Sequence, residues 1–462
     1  MFITILRKPI SAIVIGFLLF AVSLTTHAQI EVSTLDGNDS KGSLIAAILS
    51  ANTQKTDPDK PVTISFAENI AGEIVLSMDL PSIENNFSFI GNLENGKPTI
   101  TINGSVNPKI NEGLKGGISP GFRLFDVKSG YTVSIENLHL TKSNKSGITI
   151  EGGSVTVKNC ILSYNLGIGS VHGSAGGIQN ENGQLTVIGT YFFYNTGGVG
   201  GTDGGVGYGG AGSINVIGGN TVVINSSFFD NEGGFGGVGV GSIGGAGVIM
   251  ARDGNVSLVN CTVAGNFGGG SIVTGASGGI VMLGGNMSIL HSTIADNMGG
   301  AGLGGFDGVD FCSGGIHVLA GKLSLGGNII VGNYNGQDEA TDVETQIKGE
   351  VHSSGNNLFG NLKTDFCKEG DINGIALKDV VATTSEGKYK NDIISGFLPT
   401  VALTSDSPAR NKCVIFNDIS PVSSDDINAI FFIDAASKYS SLLHADQNGK
   451  QRTANPSIGA VE

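Results

Sequence analysis

Along residues 147–335 the apolar side chains fall into columns, not into a helical stripe. Six stretches align when each is ended on an asparagine: Asn165, Asn195, Asn231, Asn266, Asn297 and Asn333. Three residues before these stand Leu162, Phe192, Phe228, Val263, Ile294 and Ile330, and eight before stand Val157, Val187, Val223, Leu258, Ile289 and Leu325. Ten before stand Val155, Leu185, Thr221, Val256, Met287 and Leu323. Seventeen before, or eighteen in the fourth copy, stand Ile148, Ile178, Ile214, Val248, Ile280 and Ile316. The asparagines are 30 to 36 residues apart, a period that marks stacked supersecondary units.

Within a copy, runs such as Val155-Thr156-Val157 and Leu185-Thr186-Val187 alternate with period two, the signature of half-buried strands. Three short strands broken by glycine and asparagine cannot close a core alone. Stacked as parallel coils about 4.8 Å apart they bury one continuous apolar column. The expected fold is all-β: a right-handed parallel β-helix, a solenoid with a pectate-lyase-like coil. A leucine-rich repeat would need a Leu-x-x-Leu-x-Leu frame, and a propeller blade would need room for a fourth strand.

The flanks give the organisation. Residues 1–28 read as a signal peptide: Arg7 and Lys8, an apolar stretch from Ile10 to Leu24, and a small-residue cleavage site at Thr26-His27-Ala28. Residues 29–60 form an N-terminal cap whose helix spans 42–52, with Ser43 at its start and Leu44, Ile45, Ile48 and Leu49 on one face. The parallel β-helix is expected over 61–360, irregular at first and regular in the glycine-rich coils 147–335, with an excursion at Asn107–Pro120. Residues 361–462 read as a C-terminal cap with loops. No further run reaches the ~20 apolar residues of a membrane span, so none is expected after signal removal.

The chain has 462 residues and 75 glycines, no tryptophan, and a net charge of −14, which disfavours nucleic acid as a partner. The variable glycine stretches between each asparagine and the next Gly-Gly are expected to be tolerant surface loops.

Three stretches resemble a known set of exported bacterial proteins. Gly42 to Asn52 resembles the N-terminal signature of β-helices of the polymorphic outer-membrane-protein type, and Gly176 to Asn195 looks like their repeat unit. Ser407-Pro408-Ala409, the run Asp446 to Arg452 and the run Ile458 to Glu462 resemble the closing signature of choice-of-anchor β-helix proteins. The resemblance spans nearly the whole mature chain. It implies architecture and export, and brings no catalytic residues with it. Ile45 stands where an arginine is common, and nothing follows the closing signature that would indicate an anchor.

The six asparagines are expected to form a structural ladder of stacked amides. Asn159, Asn225, Asn260 and His291 form a partial second row with the same expectation. Glycoside hydrolysis needs two positioned carboxyls, but Asp230 and Asp296 share a phase only two coils apart. Arg252 and Asp253 are the adjacent basic–acidic pair in the array and the candidates for a lyase; His172 lacks accompanying carboxylate motifs. Asp307, Asp310, Arg410 and His444 can reach the coil only if loops or cap fold back. Cys160 and Cys261 share a small-residue column with Thr190, Ser226 and Ser292 and are too far apart to bridge, whereas a disulfide is expected among Cys312, Cys367 and Cys413. No cofactor and no metal site is implied. The expected function is an exported, non-catalytic β-helix scaffold, secreted or on the cell surface or outer membrane. Its partner would be an extracellular one, a polysaccharide among the candidates. A polysaccharide lyase or glycoside hydrolase on the same coil is the alternative.

Overall fold

The computed structural model describes residues 28–461 except 55, 57, 106–120, 202–204, 303–311, 336–341, 363–365, 384–390, 396–397, 417, 424–425, 427, 448 and 454. Residues 1–27 of the signal-like stretch and the whole of the 107–120 excursion therefore lie outside the described residues. Three of the six glycine-rich copies form three short strands, in the second copy Ile178–Glu181, Gln184–Ile188 and Tyr191–Phe193; in the others the first two run together, as in Ile214–Ile224, Ile249–Val259 and Ile316–Gly326. Each strand pairs in parallel with its counterpart in the next copy: Ile178 opposite Ile214, Val187 opposite Val223, Phe192 opposite Phe228. The result is a 15-stranded sheet and a ten-stranded sheet, an all-β arrangement of long parallel sheets compatible with a β-helix. The apolar columns converge in one core, with Ile178, Leu185, Val187 and Phe192 all fully buried. In the fourth copy the pairing is Ile214 to Ile249, not Val248. The seventeen-residue spacing is thus kept throughout, and the expected eighteenth residue is corrected. The ladder resumes register past a bulge that contains Arg252.

The corners explain the polar part of the repeat. The short third strand is flanked by two left-handed residues in every copy. Before it stand Asn159, Gly189, Asn225, Asn260, His291 and Gly327, and after it Tyr164, Tyr194, Asp230, Gly265, Asp296 and Gly332, all with φ between 49° and 66°. Asparagine and glycine suit that backbone region, so the first column is a set of bends.

The helix Leu44–Asn52 begins as expected, its Ser43 hydroxyl accepting the Ala46 N–H at 3.1 Å. It buries Leu44, Ile45 and Ile48 in the same core and lies against the strands Gln29–Val32 and Val62–Phe66. Ile45 is 2% exposed, a place where an arginine would leave a charge inside the core. The C-terminal segment lies along the flank of the coils. Ile419, Phe432, Ala435 and Leu443 cover the outward Val222, Ile224, Val259 and Leu290 of the large sheet. Val380, Val401, Ala409, Ile458 and Val461 cover Phe229, Ala264, Ala295 and Val331 of the ten-stranded sheet. No helix among the described residues is long and apolar enough to cross a membrane.

The glycine stretches depart from expectation. Their outgoing and returning arms form a slab of hydrogen-bonded backbone: the Gly210 N–H donates to Gly198 O, Gly234 to Gly210, Gly245 to Gly234 and Gly269 to Gly245, all at 2.8 Å. Each arm also bonds to the same arm of the next copy, as in Gly233 N–H to Phe267 O at 2.9 Å. A Cβ on Gly210 would overlap the Ser174 carbonyl, and one on Gly245 the Gly210 carbonyl. Bare backbone is what lets the arms approach, so these segments are a packed layer, and the expected tolerance is corrected. Gly210→Ala should lower stability by roughly 1–3 kcal/mol. Gly205→Ala, whose Cβ meets nothing within 4 Å, should stay within about 0.5 kcal/mol. Denaturant midpoints of the two variants check this, and equal midpoints would contradict a packed slab.

Candidate functional site

The six asparagines are fully buried and linked in order. Each side-chain amide donates to the next carbonyl oxygen, Asn165 to Asn195 at 3.0 Å, Asn231 to Asn266 at 2.9 Å and Asn297 to Asn333 at 2.8 Å. The backbone N–H of each donates to the same oxygen, as in Asn231 to Asn266 at 2.9 Å. The second amide hydrogen reaches a main-chain carbonyl of the preceding coil, Leu162 O at 2.8 Å from Asn195. The row needs an acceptor at its last rung. Asp342 supplies it, accepting from Asn333 Nδ2 at 2.7 Å, and burial raises its carboxyl to about 6. All of these amides are committed to one another, which leaves them nothing to offer a ligand.

Two further rows escaped sequence reasoning. The Thr190 N–H donates to Ser226 Oγ at 3.2 Å, Cys261 to Ser292 at 3.2 Å and Ser292 to Asn328 Oδ1 at 2.9 Å. The small-residue column was visible in the sequence, but its hydrogen bonding was not. Asn286, Asn255, Asn220 and Gln184 form an amide row, with Asn286 donating to Asn255 at 2.9 Å and Asn255 to Asn220 at 2.9 Å. The expected row of Asn159, Asn225, Asn260 and His291 is no ladder, because its residues are the left-handed corners described above. Instead this edge seats the C-terminal segment. Asn260 donates to Leu442 O and Ala445 O, both at 2.9 Å, and accepts from Arg452 at 3.0 Å. His291 Nε2 accepts the Phe416 N–H at 3.0 Å.

Arg252 and Asp253 do not form a pair. Asp253 is exposed and its carboxylate accepts from the Gly254 N–H at 2.8 Å. Arg252 turns the other way, donating to Gly173 O at 3.4 Å with its Cζ 5.7 Å from the Tyr208 ring centroid. Tyr208 in turn stacks on His172 at 4.8 Å, and its N–H donates to His172 Nδ1 at 3.2 Å. Burial lowers the Arg252 pKa, with Glu181 and Tyr208 opposing, and burial followed by Arg252 lowers that of His172. The bulge thus gathers Arg252, Tyr208 and His172 at one edge of the glycine slab.

The other candidates stay apart. Asp230 and Asp296 occupy left-handed corners with Gly265 on the coil between. Arg410 donates to Thr404 O at 2.8 Å and His444 bonds Ser440 O at 2.8 Å, each within the C-terminal segment. Asp307 and Asp310 lie outside the described residues. No group of three or more His, Cys, Asp or Glu side chains among the described residues is placed to hold a metal. All five cysteines, among them the Cys312, Cys367 and Cys413 expected to include a disulfide, are unbridged in this structure. Cys312 Sγ is buried against Gly275 O at 2.8 Å, Cys413 Sγ faces His291 at 3.8 Å, and Cys367 is exposed. Burial pushes the Cys160 and Cys261 thiols up to about 12.

The outer face of the ten-stranded sheet holds an aromatic group that periodicity did not single out. Tyr191 and Phe193 point outward from one strand, their rings stacked at 4.6 Å. The corner residues Tyr164 and Tyr194 stack on each other at 5.2 Å, and Phe193 meets both edge-on at 5.6 and 5.7 Å. The signal was the run Tyr191-Phe192-Phe193-Tyr194, with Tyr164 in register with Tyr194.

Compared with known proteins, the sequence matches no family and no curated relative.

The ladder separates two kinds of asparagine. Asn231→Leu removes the acceptor of Asn195 and should cost at least about 3 kcal/mol, since unmet buried donors each cost about 1–3. Asn159→Gly keeps a left-handed corner and should change stability by less than about 1 kcal/mol. Urea unfolding of both variants checks the contrast.

A pH effect follows from buried imidazoles. Burial lowers His317 to about 4, and neither of its ring nitrogens has a partner. A folded pKa below the unfolded ~6.5 gives a contribution complete above pH ~6.5 and lost as pH falls through about 4. His317→Met, matching Met250 in the same outward column, should retain roughly 3 kcal/mol more stability at pH 4 than the parent, relative to pH 7. Thermal unfolding across that range tests it, and parallel pH profiles would contradict it.

Proposed function

We propose that this chain is an exported right-handed parallel β-helix of the choice-of-anchor type. It serves as a non-catalytic scaffold, secreted or held at the cell surface, that binds an extracellular partner. The observation that carries this reading is the commitment of the repeated polar side chains: each rung of the asparagine row is spent on its neighbour. A rod whose recurrent polar groups are consumed internally, and whose glycine arms are locked against one another, is built for rigid extension. Its ligand-facing chemistry then falls to side chains that break the repeat.

The second reading, a polysaccharide lyase on the same coil, is favoured by the Arg252–Tyr208–His172 group. A partly desolvated guanidinium with a lowered pKa is the type of group that β-elimination uses as a base. The experiment is to express the full chain in a bacterial host, recover the exported form and apply it to a glycan array with product detection on every bound polymer. The scaffold reading expects an N-terminus at Gln29, binding to at least one glycan and no cleavage. Unsaturated products from a uronate polymer, abolished by Arg252→Ala, would replace it with the lyase reading.

A further inference from the structure

We infer that the aromatic group on the outer face of the ten-stranded sheet is a binding site for an uncharged polysaccharide, with Tyr164 and Tyr194 as its stacking platform. The inference rests on the binding-scaffold reading and assigns that reading its site and ligand class. Three observations lead to it.

The first is exposure where burial was available. The C-terminal segment covers this sheet from the strand Ser227–Phe229 onward, with Ser227 Oγ donating to Pro399 O at 2.7 Å and Gln447 donating to Ser227 at 2.6 Å. One coil earlier the cover ends. Tyr191 meets Phe229 edge-on at 6.1 Å at that border, while Tyr194 is 48% exposed. With Tyr164, Tyr191 and Phe193 half-buried beside it, the group presents a contiguous, partly open aromatic surface of the kind that marks a contact site.

The second is arrangement. The corner column that holds Tyr164 and Tyr194 continues as Asp230, Gly265, Asp296 and Gly332. The backbone therefore has no requirement for a ring at these two positions. The two tyrosines come from successive coils and lie nearly parallel, 26° apart, with three phenolic hydroxyls around the patch when Tyr191 is counted. A flat ring with a polar tip suits a sugar, which offers C–H bonds on one face and hydroxyls at its rim.

The third is charge. The platform is flanked by opposite charges: the Asp230 carboxylate on the following coil raises the pKa of the Tyr194 phenol, and Lys142 occupies the same corner on the coil before Tyr164. Farther along the same outer face, Glu73 accepts from Asn103 at 2.6 Å, and His139 bonds Ser163 at 2.7 Å. The chain carries −14 overall. A carboxylate at one end of the platform and an ammonium at the other can accept from and donate to sugar hydroxyls, while the net negative charge of the chain disfavours uronates or sulfated polymers. The ligand class is therefore a neutral glycan.

The test uses the exported chain and the variants Tyr164→Gly and Tyr194→Gly. Glycine already occupies this column at Gly265 and Gly332, so the variants should keep the parental unfolding midpoint. Affinity electrophoresis in gels containing a soluble neutral β-glucan, a galactomannan or polygalacturonate supplies the binding readout. With eight tyrosines and no tryptophan, tyrosine emission reports engagement directly. Retardation by a neutral polymer is expected, weakened tenfold or more in each variant, together with free passage through polygalacturonate. Retardation that both variants retain would overturn the site while leaving the scaffold reading intact. Retardation only by polygalacturonate would overturn the ligand class. Passage through every polymer, with the platform instead protected by a captured protein, would overturn the glycan assignment in favour of a protein partner. Should Tyr164→Gly lose its parental midpoint, Tyr194→Gly and the emission change on titrating parent with the glucan decide alone.

Discussion

A parallel coil leaves every corner with backbone donors and acceptors that no strand can satisfy, and here a single amide per turn meets that need. From the second copy on, the closing asparagine accepts from the main chain and side chain of the asparagine on the preceding coil. It also donates to a main-chain carbonyl of that preceding coil. Buried polar groups must be paired, so the requirement at one coil fixes residue type and phase at the next. The apolar columns follow from that phase, since inward positions are counted from the same corner. The row has a direction and so must end on an acceptor without an amide behind it. Asp342 does this, its second oxygen taking the Asn361 N–H at 2.6 Å. An aspartate in the asparagine's place is the chemical consequence of termination.

What was legible in the sequence is what repeats. The asparagine row, the inward columns and the capping helix at 44–52 all recur or carry a local signature, so spacing alone located them. What was hidden depends on approach between segments whose sequence is the same in either environment. Glycine in an open loop and glycine in a backbone slab read alike. Only the placement of Gly210 against the Ser174 carbonyl tells them apart. His291 shares a phase with three asparagines and reads as a ladder rung, because backbone handedness and side-chain pairing favour the same residue. Val248 and Ile249 are both apolar and both buried, so composition could not choose the register. Strand pairing does.

The Arg252 group was half legible. An adjacent Arg–Asp pair suggested joint chemistry, yet neighbours along a strand point to opposite sides, and a bulge adds a further displacement. The partners it acquires, Tyr208 and His172, come from the glycine arms. They were unreadable for as long as those arms looked like loops. The cysteines make the same point in reverse: three residues outside the repeat columns suggested a bridge, but each is held by a different part of the molecule.

The C-terminal segment makes the two ends of the parallel sheets unlike. Later coils have their outward apolar residues, such as Val222, Val259 and Leu290, buried beneath it. Earlier coils carry Thr156 and Lys158 at the corresponding outward phase and need no cover. The sequence of each outer face therefore already states whether it will be covered. The aromatic platform is the exception, because it is apolar and yet stands one coil before the cover begins. Internal packing accounts for the inward stack of Phe192 on Phe228 at 4.8 Å and partly for Tyr191, which leans on the covered cluster, but Tyr194 stays exposed. A position whose counterparts are aspartate and glycine carries tyrosine twice in succession, at the one step where a covered face gives way to an open one. Stability asks for neither ring, and that places their purpose outside the molecule.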